Sequence, residues 1–268
     1  MMTPTGQLSR AASTPFSASK REEKVLPQLY PTSPIRPSVA MTQAQAIQAD
    51  AYFFDIDGTL LVTRDLVHWN ALHQAMLEVF GVDTTIEGLP YHGKTDVAIL
   101  RAAVARCGVA SSTFDARLEQ TLAVVRREVR ANAEGIIPEV CPAIPELLSQ
   151  LSLRNKLLGV ASGNLEAVGW SKLTSAELRK FFAMGSFGDA CELRTAIFDN
   201  AVAMARKLIG SGCTVCFIGD TPDDILAARY VNAKVVAVST GTFEVPELLR
   251  LNPDACCRSC ADLLGQLQ

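Results

Sequence analysis

The sequence predicts an α/β fold in which a doubly wound parallel sheet carries an inserted α-helical cap. Short apolar runs alternate with stretches of helical spacing, as expected of consecutive βαβ units. Three of these runs end in polar clusters, and the carboxyl ends of parallel strands are where such sheets bind ligands. Three predicted helices follow the first strand with no strand between them, which indicates an insertion.

Composition limits the possible functions. The chain has 268 residues, 49% of them hydrophobic, enough to bury a large core in one domain with an insertion or in two domains. Its net charge of −3 lacks the basic excess of nucleic-acid-binding proteins, and no apolar run is long enough to span a bilayer. The eight cysteines lack the regular spacing of a disulfide framework. We therefore expect a protein of a reducing compartment that binds neither nucleic acid nor membrane. The sequence leaves its oligomeric state open.

Residues 1–48 differ from the rest of the chain. They are rich in Ser, Thr, Pro, Ala and Gln, and their only acids are Glu22 and Glu23. No hydrophobic periodicity is visible, so we expect a disordered extension. It could be a flexible tail, an organelle transit peptide, or sequence upstream of a true start at Met41. We favour the tail or the later start, and hence a cytoplasmic protein.

Residues 49–64 are predicted to open the core. The apolar run Ala51–Phe54 predicts a buried strand, and Asp55-Ile56-Asp57-Gly58-Thr59 follows it. Two aspartates two positions apart on an extended chain project to the same side. Their charges repel unless a cation bridges them or one of them holds a proton. The pair therefore indicates a metal site, an acid–base role, or both.

Residues 65–137, which we call the helical insertion, are predicted to form the cap. Apolar residues three or four apart predict a first helix from about residue 65, ended by Gly81. Thr95 or Asp96 would cap a second helix. A third helix is expected over roughly 114–134.

Residues 138–268 are predicted to complete the core. The expected strands are 157–161, 213–218 and 234–238, with a short final strand and helix within 254–267. Segment 185–191 is predicted to be a glycine-bearing loop. The strands at 157–161 and 213–218 are followed by Ser162-Gly163-Asn164 and by Asp220-Thr221-Pro222-Asp223-Asp224. Because parallel strands end at one edge of a sheet, these motifs should meet Asp55 and Asp57 there.

The three motifs, in this order, resemble those of haloacid dehalogenase-like hydrolases, in the branch of phosphoglycolate phosphatases and β-phosphoglucomutases. The resemblance covers roughly residues 50–268. It implies a Rossmann-like core with a helical cap. It also implies a Mg²⁺-dependent phosphatase that hydrolyses a small phosphate monoester, such as phosphoglycolate or a sugar phosphate, through an aspartyl-phosphate.

The resemblance also assigns roles to the aspartates. Asp55 would attack phosphorus, and Asp57 would protonate the leaving oxygen and then activate water. The acid role requires a proton on Asp57, and burial beside Asp55 predicts a raised pKa for it. Mg²⁺ would bind the Asp55 carboxylate, the Asp57 backbone carbonyl, Asp220 and Asp224.

The remaining site residues are expected to hold phosphate. The Ser162 hydroxyl and the backbone N–H groups that follow it, at Gly163 and Asn164, would bind phosphoryl oxygens. The family's usual Lys-Pro pair is missing from the third motif. Arg194 would supply its cation, with Lys172 as the alternative.

Substrate selection is expected to lie in the cap. Lys94 and Arg64 are candidates to meet an anionic group on the substrate. Asp223 is either a site residue or an acid that stabilises the start of a helix. His68 and His73 are assigned no role.

Other functions remain open at this stage. A sugar-phosphate mutase would use the same residues but return the phosphoryl group to a sugar. A phosphonate hydrolase would need Lys94 to form a Schiff base. A non-catalytic binding module would be expected to lose Asp55 or Asp57, and both are present.

Overall fold

A computed structural model describes residues 48–189 and 191–267 of the chain. The predictions made for residues 1–47 lie outside this range. Among the described residues, none of the helices combines the length and apolar character needed to cross a membrane.

The core is a six-stranded parallel sheet with the strand order β5-β4-β1-β6-β7-β8. Its strands are β1 (Ala51–Phe54), β4 (Leu157–Ala161), β5 (Met184–Ser186), β6 (Val215–Gly219), β7 (Lys234–Val238) and β8 (Ala255–Cys257). β1 lies at the centre and is buried along its whole length, because helices cover both faces of the sheet. Tyr52 and Phe54 pack into one apolar cluster, and Phe53 packs into the other, on the opposite face.

Helices between the strands complete the α/β core. They are α4 (Ile144–Leu153), α5 (Glu166–Ser175), α6 (Arg194–Ile209), α7 (Pro222–Tyr230), α8 (Val245–Leu249) and α9 (Cys260–Leu267). The predicted α/β class with a parallel sheet is therefore confirmed. Pro222 occupies the first turn of α7, where its missing N–H costs no hydrogen bond.

The helical insertion leaves and re-enters the core through a short antiparallel pair, β2 (Leu61–Thr63) and β3 (Pro138–Val140). Between them lie α1 (Val67–Phe80), α2 (Asp96–Arg106) and α3 (Ser111–Ala131). Gly81 ends α1 in the left-handed conformation, and the Thr95 side chain caps α2 by accepting a hydrogen bond from the Ala98 amide. These helices share an apolar cluster that also includes Leu165 and Val168 of the core. That residues 65–137 form a separate cap domain stays a prediction.

Two core elements differ from the sequence-based expectation. The segment predicted as a loop from residue 185 begins inside β5, an edge strand that pairs with β4. Three residues, one of them glycine, carry too little apolar alternation to indicate a strand. Helix α8 was not predicted either, since its five residues are too few to show helical periodicity.

Candidate active site

A cavity of about 500 Å³ opens at the carboxyl edge of the sheet, beneath the helical insertion. β1 is hydrogen-bonded to both β4 and β6, so the residues that follow these three strands meet at one place. Asp55 follows β1, Ser162 follows β4 and Asp220 follows β6, and all three line the cavity. The predicted convergence of the three motifs is therefore present in the fold.

Asp55 lies at the floor of this cavity with 7% of its side chain exposed. Its backbone amide donates a hydrogen bond to the carbonyl oxygen of Ile218 at 2.9 Å, which holds the residue in line with the sheet. Burial raises the pKa of Asp55 to about 6, although the guanidinium of Arg194 opposes the rise. The nearby carboxylates of Asp224 and Asp57 raise the pKa further.

Three buried carboxylates form an acidic cluster. One oxygen from each of Asp55, Asp220 and Asp224 lies within 4.8 Å of the other two. Burial, together with the charges of its two acidic neighbours, raises the pKa of Asp220 well above its ordinary value. The Thr59 hydroxyl donates a hydrogen bond to Asp220 Oδ1 at 3.1 Å, and Asp224 Oδ2 accepts one from the Thr221 hydroxyl at 2.7 Å. Oxygen donors this close together suit a hard divalent cation.

Arg194, the first residue of α6, joins two of these acids. Its Nη2 lies 2.9 Å from Asp55 Oδ2 and 2.6 Å from Asp224 Oδ1, as ion pairs that lack the alignment of hydrogen bonds. Its Nε donates a hydrogen bond to Asp224 Oδ1 at 2.8 Å, and its Nη1 donates one to the Gly93 carbonyl at 3.2 Å. The structure therefore places Arg194, rather than Lys172, against Asp55.

Lys172 of α5 instead binds Asp57. Its Nζ lies 2.8 Å from Oδ1 and 2.7 Å from Oδ2, and Asn164 Nδ2 donates a hydrogen bond to Oδ2 at 2.7 Å. Burial would raise the pKa of Asp57, but Lys172 and Asn164 outweigh it and lower the pKa to about 2. The Asp57 side chain keeps 42% exposure toward the cavity, so the penalty from burial is incomplete. The prediction of a raised pKa is wrong because it considered Asp55 and overlooked Lys172.

The loop after β4 is held by its own side chains. Asn164 Nδ2 also donates a hydrogen bond to Ser162 Oγ at 2.9 Å, and the Asn164 backbone amide lies 3.4 Å from the same oxygen. A Cβ atom at Gly163 would clash with the backbone carbonyl oxygen of Lys94, so only glycine lets the helical insertion approach this loop closely. The Gly163 carbonyl accepts a hydrogen bond from the Asp96 amide at 2.9 Å. The expected phosphate-binding loop is therefore also a contact with the insertion.

Comparison with known families agrees with this architecture. Residues 52–238 match the family described as haloacid dehalogenase-like hydrolase. The chain belongs to this family. The resemblance expected from the three motifs is thereby confirmed.

Similar proteins include two phosphoglycolate phosphatases and one protein of known structure. The chain is 29% identical over 222 residues to a phosphoglycolate phosphatase of Synechococcus elongatus, covering 80% of this chain and 95% of that protein. It is 27% identical to a phosphoglycolate phosphatase of Agrobacterium fabrum, covering 75% and 84% respectively. The structure of CbbY from Rhodobacter sphaeroides in complex with phosphate superposes with a TM-score of 0.61 at 17% identity, covering 82% of this chain and 99% of that one. At that identity, the likeness shows the fold alone.

In this haloacid dehalogenase-like hydrolase, His68 is a cavity residue that the sequence analysis missed. Its Nε2 lies 3.1 Å from Asp96 Oδ2, and its Nδ1 lies 3.3 Å from Lys172 Nζ. Asp96 is buried, and its Oδ2 also accepts a hydrogen bond from the Leu165 amide at 2.8 Å. A chain of contacts thus runs from the insertion to Lys172 and on to Asp57. Nothing in the sequence pattern marks a helix histidine for this position, because its partners come from distant segments.

The two cap candidates differ in position. Lys94 lines the cavity, but its Nζ makes an ion pair with Asp223 Oδ2 at 2.6 Å. Arg64 does not line the cavity, since 80% of its side chain is exposed and it pairs with Glu139 across the β2–β3 ribbon at 3.3 Å. The structure therefore does not bring Arg64 to the site, and it shows Asp223 as a partner of the insertion.

Proposed function

We propose that this protein is a Mg²⁺-dependent phosphatase that hydrolyses a small phosphate monoester through an aspartyl-phosphate. One observation carries the proposal: the buried Asp55 carboxylate lies beside the buried guanidinium of Arg194 and close to two further carboxylates, at the carboxyl edge of the parallel sheet. A nucleophilic carboxylate can approach an anionic phosphoryl group only where positive charge offsets the repulsion. The relatives named as phosphoglycolate phosphatases support hydrolysis of a phosphate ester.

The acidic cluster fits Mg²⁺. Asp55, Asp220 and Asp224 offer only oxygen ligands, and burial together with the two neighbouring carboxylates raises the pKa of Asp220, so a cation here would stabilise the ionised cluster. The Asp57 backbone carbonyl is proposed as a further ligand. A bound Mg²⁺ would neutralise charge on the carboxylates and on the phosphoryl oxygens.

The protein's own groups would position the phosphoryl group. Arg194 already contacts Asp55, so its guanidinium would bind a phosphoryl oxygen beside the nucleophile. The Ser162 hydroxyl and the backbone N–H groups of Gly163 and Asn164 would bind the others. Asp55 would then attack phosphorus as the ester oxygen leaves.

Asp57 would act first as the general acid and then as the general base. It would protonate the departing alkoxide oxygen, and as a carboxylate it would then take a proton from the water that attacks the aspartyl-phosphate. Lys172 keeps Asp57 ionised in the free site, which suits the second step. An anionic ester bound nearby raises the pKa of Asp57, which favours the protonated form needed in the first step.

The test is release of inorganic phosphate from a panel of phosphate esters. Asp55→Asn should lower kcat by at least about 1,000-fold, because the amide cannot form the acyl phosphate. The isosteric change Asp199→Asn, at an exposed position on α6, is the matched control and should leave the rate within twofold of the wild type, on the order expected for a surface site. EDTA should abolish activity and added Mg²⁺ should restore it. Hydrolysis that survives Asp55→Asn or EDTA would refute the proposal, and an isomerised sugar phosphate in place of free phosphate would indicate a mutase.

A further inference from the structure

The cavity has two unlike surfaces. Its floor is made of charged and polar groups that follow the core strands. Five apolar or aromatic side chains from the helical insertion line the opposite side, and we call them the roof: Trp69, Leu72, Ile86, Tyr91 and Ile99. They either belong to the apolar cluster of the insertion or pack against it. Trp69 and Tyr91 meet edge to face with their ring centroids 6.0 Å apart.

Every cation that lines the cavity among the described residues already has an acidic partner. Arg194 pairs with Asp55 and Lys172 with Asp57, both at the reacting end of the site. Lys94 belongs to the insertion, and its pair with Asp223 at 2.6 Å ties the insertion to the core. A second anionic group on the substrate would have to compete with Asp223 for the ammonium group of Lys94, since no other cation among the described cavity-lining residues is left without an acidic partner.

Several polar side chains on the side of the insertion already have hydrogen-bond partners. Asp65 accepts hydrogen bonds from the backbone amides of Val67 and Ile137, at 3.0 and 2.9 Å. His68 and Asp96 contact each other at 3.1 Å. A leaving group with several hydroxyls would have to compete with these contacts for hydrogen bonds, which lowers its affinity.

We propose that the leaving group of the substrate is uncharged and largely apolar, and that it packs against the roof while the phosphate lies at Asp55. This inference rests on the proposed phosphatase function and narrows its substrate class to alkyl or arylalkyl phosphates. A cavity of about 500 Å³ holds such a group together with the phosphate, since small-molecule sites span roughly 300–1,000 Å³. An apolar leaving group also distinguishes the substrate of this chain from one that carries a carboxylate in addition to the phosphate.

The experiment compares kcat/KM for five monoesters with Mg²⁺ present: methyl, butyl and 2-phenylethyl phosphate, glycerol 3-phosphate and phosphoglycolate. All are esters of alkyl alcohols, so their leaving groups differ less than those of alkyl and aryl esters do. We expect 2-phenylethyl phosphate to exceed phosphoglycolate by at least about tenfold, with butyl phosphate between them, because apolar contacts in a pocket discriminate by about tenfold or more per group. Equal or higher kcat/KM for phosphoglycolate or glycerol 3-phosphate would overturn the inference.

Its two tryptophans give the chain a matched pair of variants. Trp69→Gln should lower the ratio of kcat/KM for 2-phenylethyl over methyl phosphate by about tenfold, because it replaces an apolar roof surface. Trp170→Gln changes a partly buried tryptophan that packs on Phe187, outside the residues that line the cavity, and should leave the ratio within about twofold. An unchanged ratio in Trp69→Gln would contradict the proposal that the leaving group packs against the roof. If that variant does not fold, the wild-type ester series still decides.

The ester series distinguishes failure of the proposed phosphatase function from failure of the inference about the leaving group. If all five esters release no phosphate with Mg²⁺, the proposed function fails and this inference fails with it. If esters are hydrolysed but the charged or polyhydroxylated ones are preferred, the phosphatase proposal stands and only the apolar leaving group is refuted.

Discussion

Replacing Arg194 by methionine tests whether this residue holds the acidic floor together. The guanidinium is 6% exposed and pairs with both Asp55 and Asp224, so the substitution leaves two buried carboxylates without their cation. Removing one partner of a buried ion pair costs about 3–5 kcal/mol. For a domain of this size about 1 kcal/mol lowers Tm by roughly 2–4 °C, so we expect a fall on the order of 10 °C without divalent cations.

Thermal unfolding followed by circular dichroism, with and without Mg²⁺, measures the effect. Mg²⁺ should narrow the gap between variant and wild type, because a cation in the acidic cluster replaces part of the lost charge. Arg64→Met is the matched control, since its pair with Glu139 lies on the surface and should contribute less than about 1 kcal/mol. The reasoning would be refuted if Arg194→Met and Arg64→Met had the same Tm. It would also be refuted if Mg²⁺ raised the Tm of the wild type and of both variants equally.

Three further predictions follow from other contacts. Lys172→Met removes the cation on Asp57 and should lower kcat/KM by at least about tenfold in steady-state assays; a wild-type value would deny Lys172 a role. Gly163→Ala should cost about 1–3 kcal/mol in urea unfolding, because its Cβ would strike the Lys94 carbonyl, and an unchanged midpoint would show that the loop yields freely. Burial raises the pKa of Cys216 to about 12, so its unfolded thiol ionises first and stability should fall as pH rises from about 8.5 towards 12, by up to about 1.4 kcal/mol per pH unit. Cys216→Ala should flatten that slope.

Local pattern was sufficient for most of the fold. The strands Leu157–Ala161 and Lys234–Val238 have the predicted bounds, because continuous apolar runs between turn residues are typical of buried parallel strands. Helix ends were also readable where a specific residue determines them, as Gly81 does at the end of α1. Short elements such as β5 escaped prediction, since three residues cannot display a period.

In the candidate site, the positions of the main residues could be predicted from the sequence, but their contacts could not. Asp55, Ser162 and Asp220 could be placed together from sequence, because each follows a buried strand and parallel strands end at one edge. The partners of these residues could not. Lys172 and Asp57 are 115 positions apart, and Lys94 and Asp223 are 129 apart.

The sequence by itself determined the fold class, the family and the acids that line the floor, because these follow from local apolar runs and from motif order. Only the tertiary structure decided which cation meets which acid: Arg194 meets Asp55, and Lys172 meets Asp57. The contact with Lys172 lowers the pKa of Asp57, whereas the sequence-based prediction was a raised pKa. The physical reason is that charges interact through distances in space, and sequence spacing does not record the distances that packing of distant helices creates.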